Sequence, residues 1–358
     1  MVSEETTQKR IPVKRWIVLA LVGIGIYAAF VGPSILKPIS PVVVLPGEPT
    51  GLAIGSFQIT NTTLATLLAD LVLILIAFGA WRFANSDQMV PQGFYNFFEF
   101  LVEFLWSSVE GAAGKWAKRI FPVVATIFFL VFAANMVKLA PGFESIGYLK
   151  ERHEGTGYAP VQIGPLWTID KGQPVEAAVH EGEAAPAEGE SSAHAESEGG
   201  APCKACEVVP FLRGSATDLN FPFALAFVAV LMTQVFGLWA LGPNYIFDKF
   251  LQFKKLASGG PFGAIDFGVG LLEIVLELAK ILSFGFRLFG NIFAGALLLS
   301  IVGALTAVIV PAGLYLFEVF FGIIQAYVFF LLATMFMSGA TVSHGSHGDD
   351  HGEHAAAH

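Results

Sequence analysis

Residues 264–311 read AIDFGVGLLEIVLELAKILSFGFRLFGNIFAGALLLSIVGALTAVIVP, and this stretch decides the fold. A backbone surrounded by lipid has no water to bond, so an apolar run of this length must be helical. From 264 to 310 such a helix extends about 70 Å at 1.5 Å per residue, against a hydrocarbon core of about 30 Å. It must therefore tilt steeply, bend or protrude. Yet the run carries Glu273, Glu277, Lys280 and Arg287. With Arg287 as angular zero and about 100° per residue, Glu273 falls at about +40°, Lys280 at about +20°, Ser283 at about −40° and Asn291 at about +40°. One face of a very apolar helix is thus polar over several turns, and such a face must meet protein or water rather than lipid tails.

The rest of the chain agrees with a membrane setting. It is 54% apolar and only 14% charged, whereas soluble domains average about 25% charged residues. Further apolar runs at 16–36, 62–83, 121–141, 218–242 and 311–343 are each long enough to cross a bilayer. The expected fold is all-α and polytopic, with about six membrane helices and a long tilted C-terminal hairpin of 264–310 and 311–343. Pro311, which lacks an N–H, is expected to mark the break within that hairpin. Segment 89–120 differs from the spans. Phe94, Phe97, Phe98, Leu101, Val102, Leu105 and Val109 recur at helical spacing opposite Gln92, Asn96, Glu99, Glu103, Ser107 and Glu110. That is an amphipathic helix suited to the membrane interface.

The net charge of −9 is concentrated rather than spread. Residues 142–217 form an acidic insertion, in which twelve Asp or Glu face five Lys or Arg. No basic patch suits nucleic acid, and no glycine-rich phosphate loop is present. Basic residues cluster at Lys9, Arg10, Lys14 and Arg15 in the 1–15 tail, at Arg82, at Lys115, Lys118 and Arg119, and at Lys249, Lys254 and Lys255 in the 243–263 loop. If every run crosses once, all of these fall on one side. The positive-inside rule then places both termini in the cytoplasm, and the 37–61 loop and the acidic insertion outside. The first run is read either as a retained span or as a cleaved signal, and it is long for the latter.

Gly172–Gly200 is rich in Ala, Glu, Gly and Ser, too poor in large apolar residues to offset chain entropy, and is expected to be disordered. Cys203-Lys-Ala-Cys206 is a single CxxC, followed by Glu207 and not by the His of a haem attachment site. Outside the membrane it reads as a local disulfide, with metal binding as the other use. The 344–358 tail carries His344, His347, His351, His354 and His358 at spacings of three and four and reads as a solvated segment, with metal capture as the other use. No metal and no cofactor is expected.

Arg287 lies among Phe284, Phe286, Leu288 and Phe289. An arginine at mid-membrane costs about 2.5–3.5 kcal/mol by insertion scales and cannot escape by losing its proton. It is either a fixed functional charge or one half of a helix staple with Glu273 or Glu277. On the next run, Glu318 and Gln325 are seven residues apart and nearly on one face. A buried Glu there is a candidate proton carrier, and Asp70 in the second run is either a weaker one or a residue that caps or pairs near the outer interface.

Ser283-Phe-Gly-Phe-Arg287-Leu-Phe-Gly-Asn291-Ile-Phe-Ala-Gly295 resembles the signature helix of subunit a of rotary (F-type) ATP synthases. Asn135, Pro141-Gly142, Asp218-Leu-Asn220 and Gln325-Ala-Tyr-Val-Phe match the same pattern, so the resemblance covers roughly 40–142 and 215–343. It implies a non-catalytic, proton-translocating stator subunit in a bacterial plasma membrane, with ATP chemistry on other subunits. The implied partners are a ring of c subunits, the peripheral stalk subunit b and the rest of the complex. Arg287 would face the ring, with Asn291 positioning it and Gln325 packing opposite. Glu318 would occupy a half-channel position, and Glu273, Ser283 and Lys280 polar positions along the ion path. Ala296 departs from the pattern, because many relatives carry Glu or His there. Asp70 or water would then take the missing part. An ion-coupled secondary transporter is the alternative, but the internal repeat and paired broken helices of such carriers are not found.

Overall fold

A computed structural model of the chain describes residues 13–31, 47–55, 57–85, 93–140, 142–144, 146–152, 156–176, 203–243, 245, 249–250, 260–306 and 309–342. The expectations for the 1–12 tail, for 177–200 and for the His-rich tail lie outside these residues. The chain divides into two compact units. One comprises residues 1–44, 142–211 and 294–318, and the other 45–141, 212–293 and 319–358.

Among the described residues seven α-helices appear: α1 (Val13–Val31), α2 (Asn61–Ala84), α3 (Phe94–Ala113), α4 (Ala117–Val137), α5 (Asn220–Leu241), α6 (Gly260–Leu305) and α7 (Ile309–Ala340). Four continuous helical stretches are long and apolar enough to cross a membrane: Asn61–Phe83, Phe94–Val137, Asn220–Leu241 and Val310–Ala340. The chain is a helical multi-pass membrane protein. Local chemistry sets several helix ends. The Thr60 side chain accepts from the Thr63 N–H at the start of α2, which satisfies one donor that the first turn leaves free. Between α3 and α4 a 3-10 turn, Gly114–Trp116, opens on Gly114 at φ +49°, a conformation that costs glycine little.

The core of the second unit is built around α4. Ile120, Val124 and Val131 pack with Leu105 and Val109 of α3, Ala226 and Phe236 of α5, Leu288 of α6, and Phe329, Phe330 and Met337 of α7, all fully buried. Leu105, Val109 and Ala113 form the buried stripe of α3, whereas Phe94 and Phe97 are exposed. Lipid tails are as apolar as these side chains, so the helices associate through close packing rather than through flight from water. Small residues permit the approach. A Cβ on Gly285 of α6 would lie 3.0 Å from the Phe223 ring of α5.

The α6 helix is 46 residues long. It pairs antiparallel with α7: Phe284 meets Phe329 at a ring-centroid distance of 4.7 Å, and Lys280 Nζ lies 5.0 Å from the Phe336 ring centre. The break between them was expected at Pro311. Instead α6 ends at Leu305 and Pro311 is the third residue of α7. Within a first turn the missing N–H removes no intrahelical bond, so the helix starts before the proline instead of after it.

Two small sheets lie outside the helices, and the sequence reading contained neither. In the second unit β1 (Pro49–Ile54) and β2 (Phe57–Thr60) form an antiparallel hairpin ahead of α2. The acidic insertion of the first unit holds β3 (Gly147–Glu151), β4 (Thr156–Ile163), β5 (Leu166–Glu176) and β6 (Cys206–Pro210), antiparallel in the order β3-β6-β4-β5. Residues 172–176 were expected to be disordered and are strand. Pro174, Val175 and Glu176 pair with Tyr158, Gly157 and Thr156, a register that composition alone does not reveal. Cys203 and Cys206 are joined in a disulfide at the start of β6.

Candidate functional site

The polar stripe of α6 is divided between two kinds of surroundings. Arg287 and Ser283 are exposed, as are Val269, Leu272 and Leu276 on the same helix face. Leu288, one residue on, and Phe284, three back, lie about 60–100° around the helix from Arg287 and are buried. Among the described residues Arg287 has no hydrogen-bond or ion-pair partner. A permanent cation therefore stands on an outward face whose other exposed members are Ser283 and apolar side chains.

The staple with Glu273 or Glu277 is not formed. Both carboxylates turn to Lys249, in the segment between α5 and α6: its Nζ lies 2.6 Å from Glu277 Oε1 and 3.4 Å from Glu273 Oε1. Lys280 donates to the same Glu277 oxygen at 2.9 Å. Lys249 also donates to the Tyr245 hydroxyl at 3.1 Å, which lies 3.2 Å from Gln234 Oε1. Burial opposes the charge on Lys249, but its hydrogen bonds to Glu277 and Tyr245 more than offset that and hold the ammonium above its ordinary range. Glu273 and Lys280 are thus tied into a charge cluster instead of standing open beside Arg287. Lys249 and Glu277 were not among the expected site residues. The 23 residues between Lys249 and Glu273 hide their proximity, since sequence spacing relates only residues on one helix.

This cluster carries a stability prediction. Lys249→Met is expected to destabilise the chain by roughly 1.5–3 kcal/mol, the range for hydrogen bonds to charged groups. The double change Lys249→Met with Glu277→Leu should recover part of that, because it removes the buried Glu277 carboxylate that the single change strands, although Glu273 still loses its lysine. Thermal unfolding of the detergent-solubilised protein checks it; equal losses in the single and double variants would count against a coupled pair.

One helical turn beyond Arg287, Asn291 Nδ2 donates to Gln325 Oε1 of α7 at 3.4 Å. Gln325 is buried and its Nε2 has no partner among the described residues, so this α6–α7 contact holds one amide donor in reserve. In the first unit, a Cβ on Gly295 would lie 3.1 Å from Glu318 Oε1. The missing side chain of Gly295 is what makes room for the Glu318 carboxyl. Asp70 on α2 is half-buried, with no hydrogen-bond or ion-pair partner among the described residues. At the start of α5, Asp218 is almost fully buried. It accepts from the Thr62 hydroxyl at 3.1 Å, the Asn220 N–H at 3.0 Å and Asn220 Nδ2 at 3.2 Å. Its bonds join α2 to α5, and only the Asp-Leu-Asn string hinted at it.

A family model described as the ATP synthase A chain matches residues 63–338. Among curated proteins, "ATP synthase subunit a" of Mycobacterium ulcerans (strain Agy99) is 26% identical over 288 residues, covering 78% of this chain and 86% of its own. The protein of that name from Mycobacterium marinum (strain ATCC BAA-535 / M) is 26% identical over 298 residues, with 81% and 90% covered. That of Campylobacter jejuni subsp. jejuni serotype O:23/36 (strain 81-176) is 24% identical over 282 residues, with 78% and 89% covered.

Proposed function

Since this chain belongs to the ATP synthase A chain family, we propose that it is the proton-translocating stator of the membrane sector, working against a rotating ring of c subunits. As a member of that family it is a membrane-sector subunit of ATP synthase. The observation that carries the finer proposal is Arg287, an exposed guanidinium without a partner among the described residues, on an apolar helix face. Left against lipid it is costly. A carboxylate presented by another subunit would relieve that cost whenever it came opposite.

A proton enters a half-channel from outside and neutralises a rotor carboxylate, which can then face lipid as the anion could not cheaply. The ring turns until that carboxyl reaches the second half-channel. There Arg287 favours the ionised form and the proton leaves to the cytoplasm. The same charge repels an excess proton and so keeps the half-channels apart. About 2.3 kcal/mol per charge per 100 mV drives the cycle. The Asn291–Gln325 contact stiffens the helix pair one turn from the guanidinium. Glu318 carries protons in one half-channel, with Asp70 supplying the part that Ala296 lacks, while Ser283 lines the path. Glu273 and Lys280 serve it indirectly, through the Lys249 and Glu277 cluster. The α6–α7 hairpin lies steeply tilted along the ring. This chain carries no ATP chemistry of its own and is held by the stalk subunit b in a bacterial plasma membrane, with both termini cytoplasmic.

Purification in mild detergent tests the assignment. A ring of small two-helix subunits is expected to co-purify with the chain. A chain that purifies alone and transports ions by itself after reconstitution would overturn it in favour of a secondary carrier.

A further inference from the structure

The acidic insertion contains a region of opposite character. From Thr156 to Ile169 the chain has no charged residue, and this run forms the β4–β5 hairpin with its turn at Gly164 and Pro165. The base of the hairpin is packed. Tyr158 is buried and pairs with Cys206 of β6, and Arg152 Nη1 donates to the Thr156 carbonyl at 3.0 Å. Beyond the base, β5 is the one strand paired with β4 among the described residues. There Val161 (39%), Ile163 (65%), Leu166 (71%) and Trp167 (36%) are exposed.

The register assigns these side chains to faces. Ile163 opposes Leu166 and Val161 opposes Thr168, on one side; Gln162 opposes Trp167 and Pro160 opposes Ile169, on the other. An exposed antiparallel hairpin in water alternates, apolar on the packed face and polar on the solvated one. This tip is mainly apolar on both, with a single polar side chain on each, Thr168 on one and Gln162 on the other. A protein groove would cover one face of a ribbon, whereas a lipid interface surrounds both. The insertion is also tied at each end to a membrane helix, leaving α4 at Val137 and rejoining at Asn220, so a bilayer surface is always within the tether. An eight-residue strand spans about 26 Å, enough to carry the tip clear of the charged base. Trp167 supplies the amphipathic ring favoured at lipid headgroups.

We propose that the β4–β5 hairpin inserts its tip, Val161–Trp167, into the outer surface of the bilayer, an attachment to lipid separate from the membrane helices. The carboxylates at Asp170 and Glu176 stay in water and limit its depth.

The test uses the full chain in its assembled complex, reconstituted in phosphatidylcholine vesicles. Cys203 and Cys206 are disulfide-bonded, so Leu166→Cys offers a single thiol for an environment-sensitive fluorophore, Ile163→Cys a second at the tip, and Gln173→Cys a control nearer the base. Spin-labelled lipid is expected to quench both tip labels severalfold more strongly than the control, and iodide supplied on both sides of the membrane to quench them less. Tip labels as open to iodide as the control overturn the proposal. Labels shielded from iodide and from lipid quencher alike overturn it too, because a protein would then cover the tip.

Discussion

Replacing Arg287 by alanine is expected to leave the complex assembled but to reduce ATP-driven proton pumping and ATP synthesis to background, while passive proton leak through the membrane sector persists or rises. Assembly should survive because the side chain is exposed and makes no contact that holds the fold among the described residues. In the proposed cycle the fixed charge does two things at once, so coupling should fail without it. It promotes loss of the proton from the rotor carboxyl, and it bars protons from crossing directly between half-channels. Without it the path is opened rather than plugged. Arg287→Lys should fail as well. An ammonium in an apolar setting can shed its proton, and it lacks the planar fork that holds a carboxylate in one orientation. The measurement is acidification of reconstituted vesicles, with ATP and with an imposed potential. Normal coupled pumping by either variant would leave Arg287 without its proposed part.

Glu318→Gln should behave differently, and the contrast separates the two roles. It keeps the size of the side chain and removes its titration, so pumping and passive conduction should fall together. The loss is expected on the order of a hundredfold, the low end of what a positioned proton-transfer group contributes. Gly295 provides an independent handle. A Cβ there would lie 3.1 Å from Glu318 Oε1, tighter than ordinary contact, so Gly295→Ala should impair conduction moderately and Gly295→Val severely, with Glu318 itself intact. If Glu318→Gln reduced pumping but left passive conduction untouched, the carboxyl would not be on the proton path.

The membrane part was legible because lipid leaves the chain few choices. Apolar length alone placed α2 and α5 within two residues of their observed ends, and the rarity of arginine in such runs singled out Arg287. Periodicity along α6 predicted one polar face, but it could not tell which members of that face were already paired. Glu273 and Lys280 lie at nearly the angle of Arg287, yet Lys249 and Glu277 engage them and leave the arginine without a partner among the described residues. That distinction depends on a lysine from a separate segment. The insertion was opaque for another reason. Its strands are interrupted by Gly and Pro and set in acidic surroundings, so no period stood out. Their stability comes from a register in which β6 pairs with β3, more than fifty residues earlier in the chain.

That pairing has an evolutionary consequence. Gly147 opposes Pro210, and the Phe211 N–H donates to the Ile146 carbonyl at 3.0 Å. The chain therefore enters and leaves the insertion at one place, as through a clasp. Sequence gained or lost between Glu176 and Cys203 changes loop-closure entropy by only about 0.6 kcal/mol per doubling of length, and the closed clasp does not transmit that change to the helices. This stretch can lengthen, shorten or change composition from lineage to lineage while the residues around Arg287 stay under the constraint of the bilayer. Selection then acts on the two parts of a single polypeptide almost as if they were separate genes.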